Sequence, residues 1–288
     1  MDNKNKIILI SIGVVISTIV IITTSYMISN PNIKVEKEIR IVTTFYPLYE
    51  FTNNIVKDKA KVEMLIPPGV EVHDWEPSAK DIEQLRDADL LIYNDNSLES
   101  YIKKVDINKV AVASDLIKDN NPHVWLDPLL AKEQVKSILN AILTIDKENE
   151  EYYKKNAEEY MNELKLLHEE YVNGLSDCEK REFIVFHAAY SYLADRYNLT
   201  QITLIGTDIE IDDLSVQEMR EIIDTAKEKN VKFVYAEEHL DERIMKAFAE
   251  EVNAQILILN PIEVYDGVSY VDEMRNNLEN LRIGLVCR

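Results

Sequence analysis

Glycine is scarce in this chain. Six occur in 288 residues, too few for the glycine-rich loops that cradle phosphate, and no GKS/T or GxGxxG stretch is present. HExxH and GxSxG are missing as well, which removes the usual signposts of a metalloprotease helix and a serine-hydrolase elbow. Positive charge is in deficit, with 32 Lys and Arg against 52 Asp and Glu and a net charge of -20. No broad basic surface is available for nucleic acid, so no nucleic-acid partner is expected. Such acidity keeps a protein soluble and gathers cations without naming one. Cysteine is nearly absent. Cys178 and Cys287 lie too far apart for a local zinc motif. In an oxidising compartment they either pair or stand as two free thiols. No repeat of solenoid length is visible.

What is present points to a packed, exported protein. Hydrophobic residues make up 46% and charged residues 29%, which fits a globular core rather than disorder. After the polar start MDNKNK comes IILISIGVVISTIVIITTSYMI, residues 7–28, with no charge. A helix of that length crosses a bilayer core of about 30 Å, and the run exceeds the h-region of about 7–15 residues expected of a cleaved signal. The reading adopted is an uncleaved anchor, with a cleaved signal or a buried core helix as alternatives. Lysines before the run and an acidic body after it place the body outside the cytoplasm. No cysteine lies near its end, so a lipid-anchored N-terminus is not expected.

The division expected is a membrane anchor or signal over 1–28, a tether over 29–38, an N-terminal α/β lobe over 39–145, a linking helix over 146–174 and a C-terminal α/β lobe over 175–288. IRIVTTF, VEMLIPP, DLLIYN and KVAVA read as strands separated by helical patterns at 47–57 and 78–88, with a helix over 128–144. EFIVFH, ITLIG, KFVYAEE and QILILNP repeat the alternation with helices over 189–197, 215–229, 240–252 and 270–281. Such alternation makes mainly parallel sheets flanked by helices. Between the halves, residues 146–173 lack Pro and Gly, and Tyr153, Tyr160, Leu164, Leu167 and Tyr171 recur at helical spacing. That is one long helix with a single apolar stripe, about 40 Å from end to end, with Gly174 as its stop.

Ligands of parallel sheets bind beyond the carboxyl ends of the strands. Four residues share that address: His73 in GVEVHDWEP, His123 in NPHVWLDP, His187 after EFIVF, and Glu263 in NPIE. Two come from each half, so they can meet in the cleft between the halves. A lone histidine after a strand is most often an ordinary polar residue. Three of the five histidines sharing one address weakens that view for the group. His168 and His239 read as solvated. Asp127 reads either as part of the His123 turn or as the cap of the helix after Pro128. Trp75 and Trp125 either wall the site or pack the interface between lobes. Three imidazoles and a carboxylate suit zinc in a closed tetrahedral shell, whereas more oxygen ligands would favour manganese. A closed shell leaves no place for an activated water, so transport is favoured over catalysis. The affinity should weaken between about pH 7 and pH 5, because protonated imidazole binds no metal.

The stretches FYPLYEFTNNIV, IPPGVEVHDWEPSAKDIEQLRDADLLIYN, NPHVWLDP, VFHAAYSYLADRYNL and LNPIE followed by YVDEMRNNLENL resemble the metal-binding solute-binding proteins of ABC importers for zinc and manganese. They cover nearly all of residues 39–288. The resemblance implies two lobes bridged by a rigid helix, a Zn2+ site (Mn2+ as alternative) of His73, His123, His187 and Glu263, and delivery of the ion to an ABC permease with its ATPase. It is nearer the zinc branch, since the manganese branch tends to carry glutamate where His187 stands. A histidine-rich loop is missing, only DLIKDNN separating Ser114 from Pro122, and the segment that usually reads like EPS is DLS at 213–215. The expected unit is a monomer held to the membrane by its N-terminal helix, with little lobe rotation on metal release. A surface adhesion module with an incidental metal and an exported metallohydrolase are the competing readings. The latter needs an open coordination position.

Overall fold

The computed structural model describes residues 38–288 except 74, 96–97, 119, 204–214, 229–230 and 238–241. The expected anchor over 1–28, nearly all of the tether, His239 and most of the DLS segment lie outside the described residues. Among the described residues, no helix is long and apolar enough to cross a membrane.

The first half runs β1 (Arg40–Thr43), α1 (Tyr46–Val56), β2 (Lys61–Met64), α2 (Ala79–Arg86), β3 (Leu90–Tyr93), β4 (Lys109–Ala111) and α3 (Pro128–Ile145). The long helix α4 (Glu150–Gly174) follows. The second half runs β5 (Glu182–Val185), α5 (Ser191–Arg196), β6 (Thr200–Thr203), α6 (Val216–Glu228), β7 (Phe233–Ala236), α7 (Glu242–Val252), β8 (Gln255–Ile258) and α8 (Tyr270–Leu285). Each half forms a four-stranded sheet, ordered β2-β1-β3-β4 and β6-β5-β7-β8. Within the two sheets every described strand pairing is parallel. The α/β class and the two-sheet layout read from the alternation are thus the observed ones.

Local chemistry sets the ends of these elements. Ser78 accepts from the Asp81 N–H while Asp81 reaches back to the Ser78 N–H, closing a capping box on α2. Pro128 stands in the first turn of α3, and the Asp127 carboxylate accepts from Leu129 N–H at 2.9 Å. Asp127 also holds Arg196 Nε at 2.7 Å. It is therefore a cap and a cross-half ion pair, and the capping alternative of the sequence reading holds.

The long helix begins four residues later than its pattern implied. Asp146 takes an extended conformation. Its carboxylate accepts from Glu148 N–H, Asn149 N–H, the Asn149 amide and the Tyr153 hydroxyl. A short acidic side chain that gathers local donors competes with helix formation, so residues 146–149 turn instead. From Glu150 onward the stripe behaves as read: Tyr153, Tyr160, Leu164, Leu167 and Tyr171 are all buried. Each is worth about 1.5–3 kcal/mol by burial, and the phenol tips find partners. Tyr160 Oη lies 3.3 Å from Glu50 Oε1 in α1, and the Tyr171 hydroxyl donates to Met274 O in α8. The helix is thereby bonded to both halves. His168, read as solvated, is instead half-buried, with Nδ1 3.1 Å from Tyr197 Oη. It lies beside the buried stripe and meets the end of α5.

One apolar cluster runs through both halves, from Ile41, Phe45 and Phe51 through Trp125 and the α4 stripe to Tyr270 and Leu285. The second half carries a smaller core of its own around Ile184, Phe186, Val234 and Phe248. Trp125 is fully buried, packs edge-on to Phe45 and donates from Nε1 to Pro261 O at 2.7 Å. It ties the halves together. Trp75 packs edge-on against Tyr101 within the first half. Cys178 and Cys287 form a disulfide, which settles the open alternative and pins the end of α8 beside the start of β5.

Candidate metal centre

Each of the four residues lies in the loop that follows a strand, His187 two residues past β5, Glu263 five past β8, His73 nine past β2 and His123 twelve past β4. Asn94 Nδ2 donates to Pro122 O at 2.9 Å, and Gln134 Nε2 holds Asn94 Oδ1 at 2.9 Å. Glu99 braces this loop by accepting from Thr44 Oγ1 and from the N–H groups of Asn94 and Asp95. Burial pushes its carboxyl up to about 7. His123 follows directly. Its own N–H bonds Asn121 Oδ1 at 3.0 Å, and its Nδ1 lies 2.6 Å from the same oxygen.

On the other side, β5 ends at Val185, two residues short of His187, which the sequence had placed on the strand. The ladder stops where the chain turns to present the ring. His187 Nδ1 lies 2.8 Å from Glu237 Oε1, just past β7. Glu263 stands in a turn that Asn277 holds: Asn260 N–H donates to Asn277 Oδ1, and Asn277 Nδ2 returns to Asn260 O, both at 2.7 Å. Ile262, immediately before it, sits at φ +60°. That is a strained conformation for a β-branched residue, and such strain gathers at functional sites.

The four side chains meet. One donor atom from each of His73, His123, His187 and Glu263 lies within 4.8 Å of the others. His73 Nε2 is 3.3 Å from His123 Nε2 and 3.4 Å from Glu263 Oε1, and His123 Nε2 is 2.8 Å from that oxygen. Ligands about 2.0–2.1 Å from a tetrahedral zinc stand about 3.3 Å apart, so these spacings suit one small cation. Side-chain exposure is 1% for Glu263, 5% for His123, 19% for His187 and 28% for His73. His73 is the open side of the site.

The electrostatics also call for a cation. With its Nδ1–H bound to Asn121, the His123 ring turns an Nε2 lone pair inward, and the His187 ring, its Nδ1–H bound to Glu237, does so once Nε2 loses its proton. Neither buried oxygen of Glu263 receives a hydrogen bond among the described residues. His123 Nε2 stands 2.8 Å from Glu263 Oε1, so a positive charge, a proton or a metal ion, must lie between them. Burial opposes the charge on Glu263, yet the His123 and His73 rings hold its carboxyl well below the usual range. Burial pushes His123 down to about 4 in spite of Glu263. Burial works the same way on His187, but Glu237 overrides it, with Glu263 and Glu71 adding, and the ring is raised to about 9. Three imidazole nitrogens and one carboxylate oxygen suit zinc better than the oxygen-hungry divalent ions.

Sequence reasoning missed three residues around this centre. Asn121 was given no role in the site, although a carboxamide two residues before a histidine can bond its ring. Glu237 was read as strand end, yet it shares the carboxyl-end address. Glu71 lies beside the site and accepts from His73 N–H at 3.3 Å. Burial next to Glu263 pushes its carboxyl up to about 8.

Comparisons with known proteins point to one family. The family profile described as "ZnuA: Zinc-uptake complex component A periplasmic" matches residues 41–284. The high-affinity zinc uptake system protein ZnuA of Bacillus subtilis is 35% identical over 284 residues, covering 87% of this chain and 89% of that protein. The zinc-binding protein AdcA of Streptococcus pyogenes is 33% identical over 290 residues, and the match covers 86% of this chain but 56% of that longer protein. Among solved structures, the Zn(II)-bound ZnuA-like domain of Streptococcus pneumoniae AdcA superposes with a TM-score of 0.79 at 30% identity, covering 86% of this chain and 99% of that one. Profile, relatives and fold agree, and the chain belongs to the ZnuA family of periplasmic zinc-uptake components.

Proposed function

We propose that this protein is an extracytoplasmic zinc receptor that passes its ion to an ABC permease and its ATPase. His73, His123, His187 and Glu263 are its ligands, Zn2+ is its cargo, and it acts as a monomer. Residues 7–28 hold it to the membrane as a single uncleaved span, and 29–38 form a spacer. The lobes 39–145 and 175–288 are joined by 146–174 and close around the ion. The observation that carries this reading is the convergence of three imidazoles on a buried carboxylate that, among the described residues, no hydrogen bond satisfies. Four protein donors fill a tetrahedral shell, leaving no site for an activated water, so the reading is transport rather than hydrolysis.

Metal analysis of the full-length chain in detergent, offered zinc and manganese together, tests the cargo. One zinc per chain is expected, and a His123→Ala, His187→Ala double variant should hold none. Preferential retention of manganese, or zinc retained by the double variant, would overturn the assignment. Cell fractionation tests the tether: the full chain should sediment with membranes, and a version starting after residue 28 should not.

A further inference from the structure

Asn121 opens NPHVWLDP, and its side chain touches both halves of the centre. Its Oδ1 accepts from the His123 main-chain N–H at 3.0 Å and lies 2.6 Å from His123 Nδ1. Its Nδ2 donates to Ala188 O at 3.0 Å and to Ser191 Oγ at 2.9 Å. Ala188 directly follows His187, and Ser191 begins α5. Two bonds accepted and two donated use the main capacity of a carboxamide. They also fix which way it points. A flipped amide would set its NH2 group against two His123 N–H donors and its oxygen against the Ala188 carbonyl.

The same contacts fix the His123 tautomer, because an unprotonated Nδ1 at 2.6 Å would oppose two lone pairs. Tyr192 in α5 braces the loop from behind. Its hydroxyl accepts from Lys118 N–H at 2.6 Å and donates to Asn121 O at 2.8 Å.

We propose that Asn121 is a positioning residue of the metal centre, one amide that registers the His123 ring to the His187 turn across the two halves before an ion arrives. This rests on reading those histidines as ligands. Asn121 gives nothing to the ion, since both ends of its amide are occupied. It sets angle and separation instead. Partners that orient liganding histidines are typically worth 10–100-fold in metal affinity. The reach to Ala188 distinguishes Asn121 from a residue that merely orients His123.

The test uses the full-length chain, zinc affinity by competition with a chromophoric chelator, and the electronic spectrum of bound Co2+. Asn121→Ala removes both arms and should weaken zinc binding about 10–100-fold. Asn121→Asp keeps an acceptor for His123 but sets an oxygen against the Ala188 carbonyl. It should cost about 10-fold and shift the Co2+ spectrum. In a His187→Ala background the same Asn121→Asp change should cost less than about 2-fold, because the turn it positions no longer carries a ligand. If Asn121→Ala does not fold, the Asn121→Asp and His187→Ala cycle decides alone. Equal losses in both backgrounds, or an Asn121→Asp variant that binds like wild type with an unshifted spectrum, would overturn the inference. A wild-type chain that takes up no zinc would instead overturn the metal-centre reading itself.

Discussion

Raising the pH from 7 to 8 should tighten zinc binding about tenfold, because His187 holds a proton that the ion must displace. Burial opposes that proton, but Glu237 at 2.8 Å overrides it and the ring titrates at about 9. A group of that pKa is about 99% protonated at pH 7 and about 90% at pH 8. His123, pushed down to about 4 by burial, contributes no proton in this range. Zinc binding at pH 8 should therefore expel at least about 0.9 proton from His187 alone. His73, raised because Glu263 outweighs burial, and Glu71, raised to about 8 by burial beside Glu263, add to that count.

Three ordinary histidines near pKa 6.5 would together release only about 0.1 proton at pH 8, and affinity would change about twofold between pH 7 and 8. The pH 7 to 5 window expected from the sequence thus widens upward to about 9. Titration calorimetry at pH 8 in two buffers of different protonation enthalpy counts the protons. Glu237→Gln keeps an acceptor for Nδ1–H but removes the charge, so its count should fall. A wild-type count below about 0.2, or a count unchanged by Glu237→Gln, would refute the reasoning. The sign carries over to stability without metal. Because the His187 pKa is raised on folding, its contribution is full below about 6.5 and is lost as pH climbs through about 9.

Three further outcomes follow from the fold. The Cys178–Cys287 bridge closes a separation of 109 residues, so replacing both cysteines by serine should cost about 2–5 kcal/mol in urea melts; a change under about 0.5 kcal/mol would contradict this. A Cβ on Gly284 would lie 2.2 Å from Tyr235 Oη. Gly284→Ala should therefore destabilise by about 1–3 kcal/mol despite gaining about 1 kcal/mol in helix propensity, and adding Tyr235→Phe should recover part of the loss. Small-angle scattering of the full-length chain with and without zinc should superimpose, and a wide domain opening would refute the cross-half bonding described above.

The sheets, the buried stripe of α4 and the four converging side chains were legible because each rests on a pattern that burial writes into sequence. Alternating strand and helix periods imply a parallel sheet, and a parallel sheet puts its ligands at the carboxyl ends. That rule, joined to a preference for imidazole and to the family motifs, singled out His73, His123, His187 and Glu263 from a chain with no local metal motif. What stayed hidden depends on bonds rather than on apolar period. Asp146 breaks the long helix with side-chain contacts that leave the stripe unaltered. Glu237 is one acid in an acidic stretch, and only the fold shows that it faces His187. The cysteines, 109 residues apart, were readable as a pair only once β5 and α8 were known to be neighbours.

The four donors are not equally held, and that inequality bears on how an ion could leave. Glu263 is fixed by the Asn260–Asn277 pair and by Trp125 bonded to Pro261, and His123 by Asn121. Further bonds cross between the halves: the Tyr46 hydroxyl to Val268 O, Tyr270 N–H to Glu50, and Arg196 to Asp127. Swinging the lobes apart would break several of these bonds at once, each worth about 0.5–1.5 kcal/mol net of its replacement by water. Moving the segment that carries His73 breaks none of these. It is the most exposed of the four side chains, at 28%, and its Nε2 stands beside the donor atoms of His123, His187 and Glu263. A site built this way can keep three donors in place while the fourth lets the ion pass, which is why scattering profiles that superimpose are the expected companion of a site that both binds and releases.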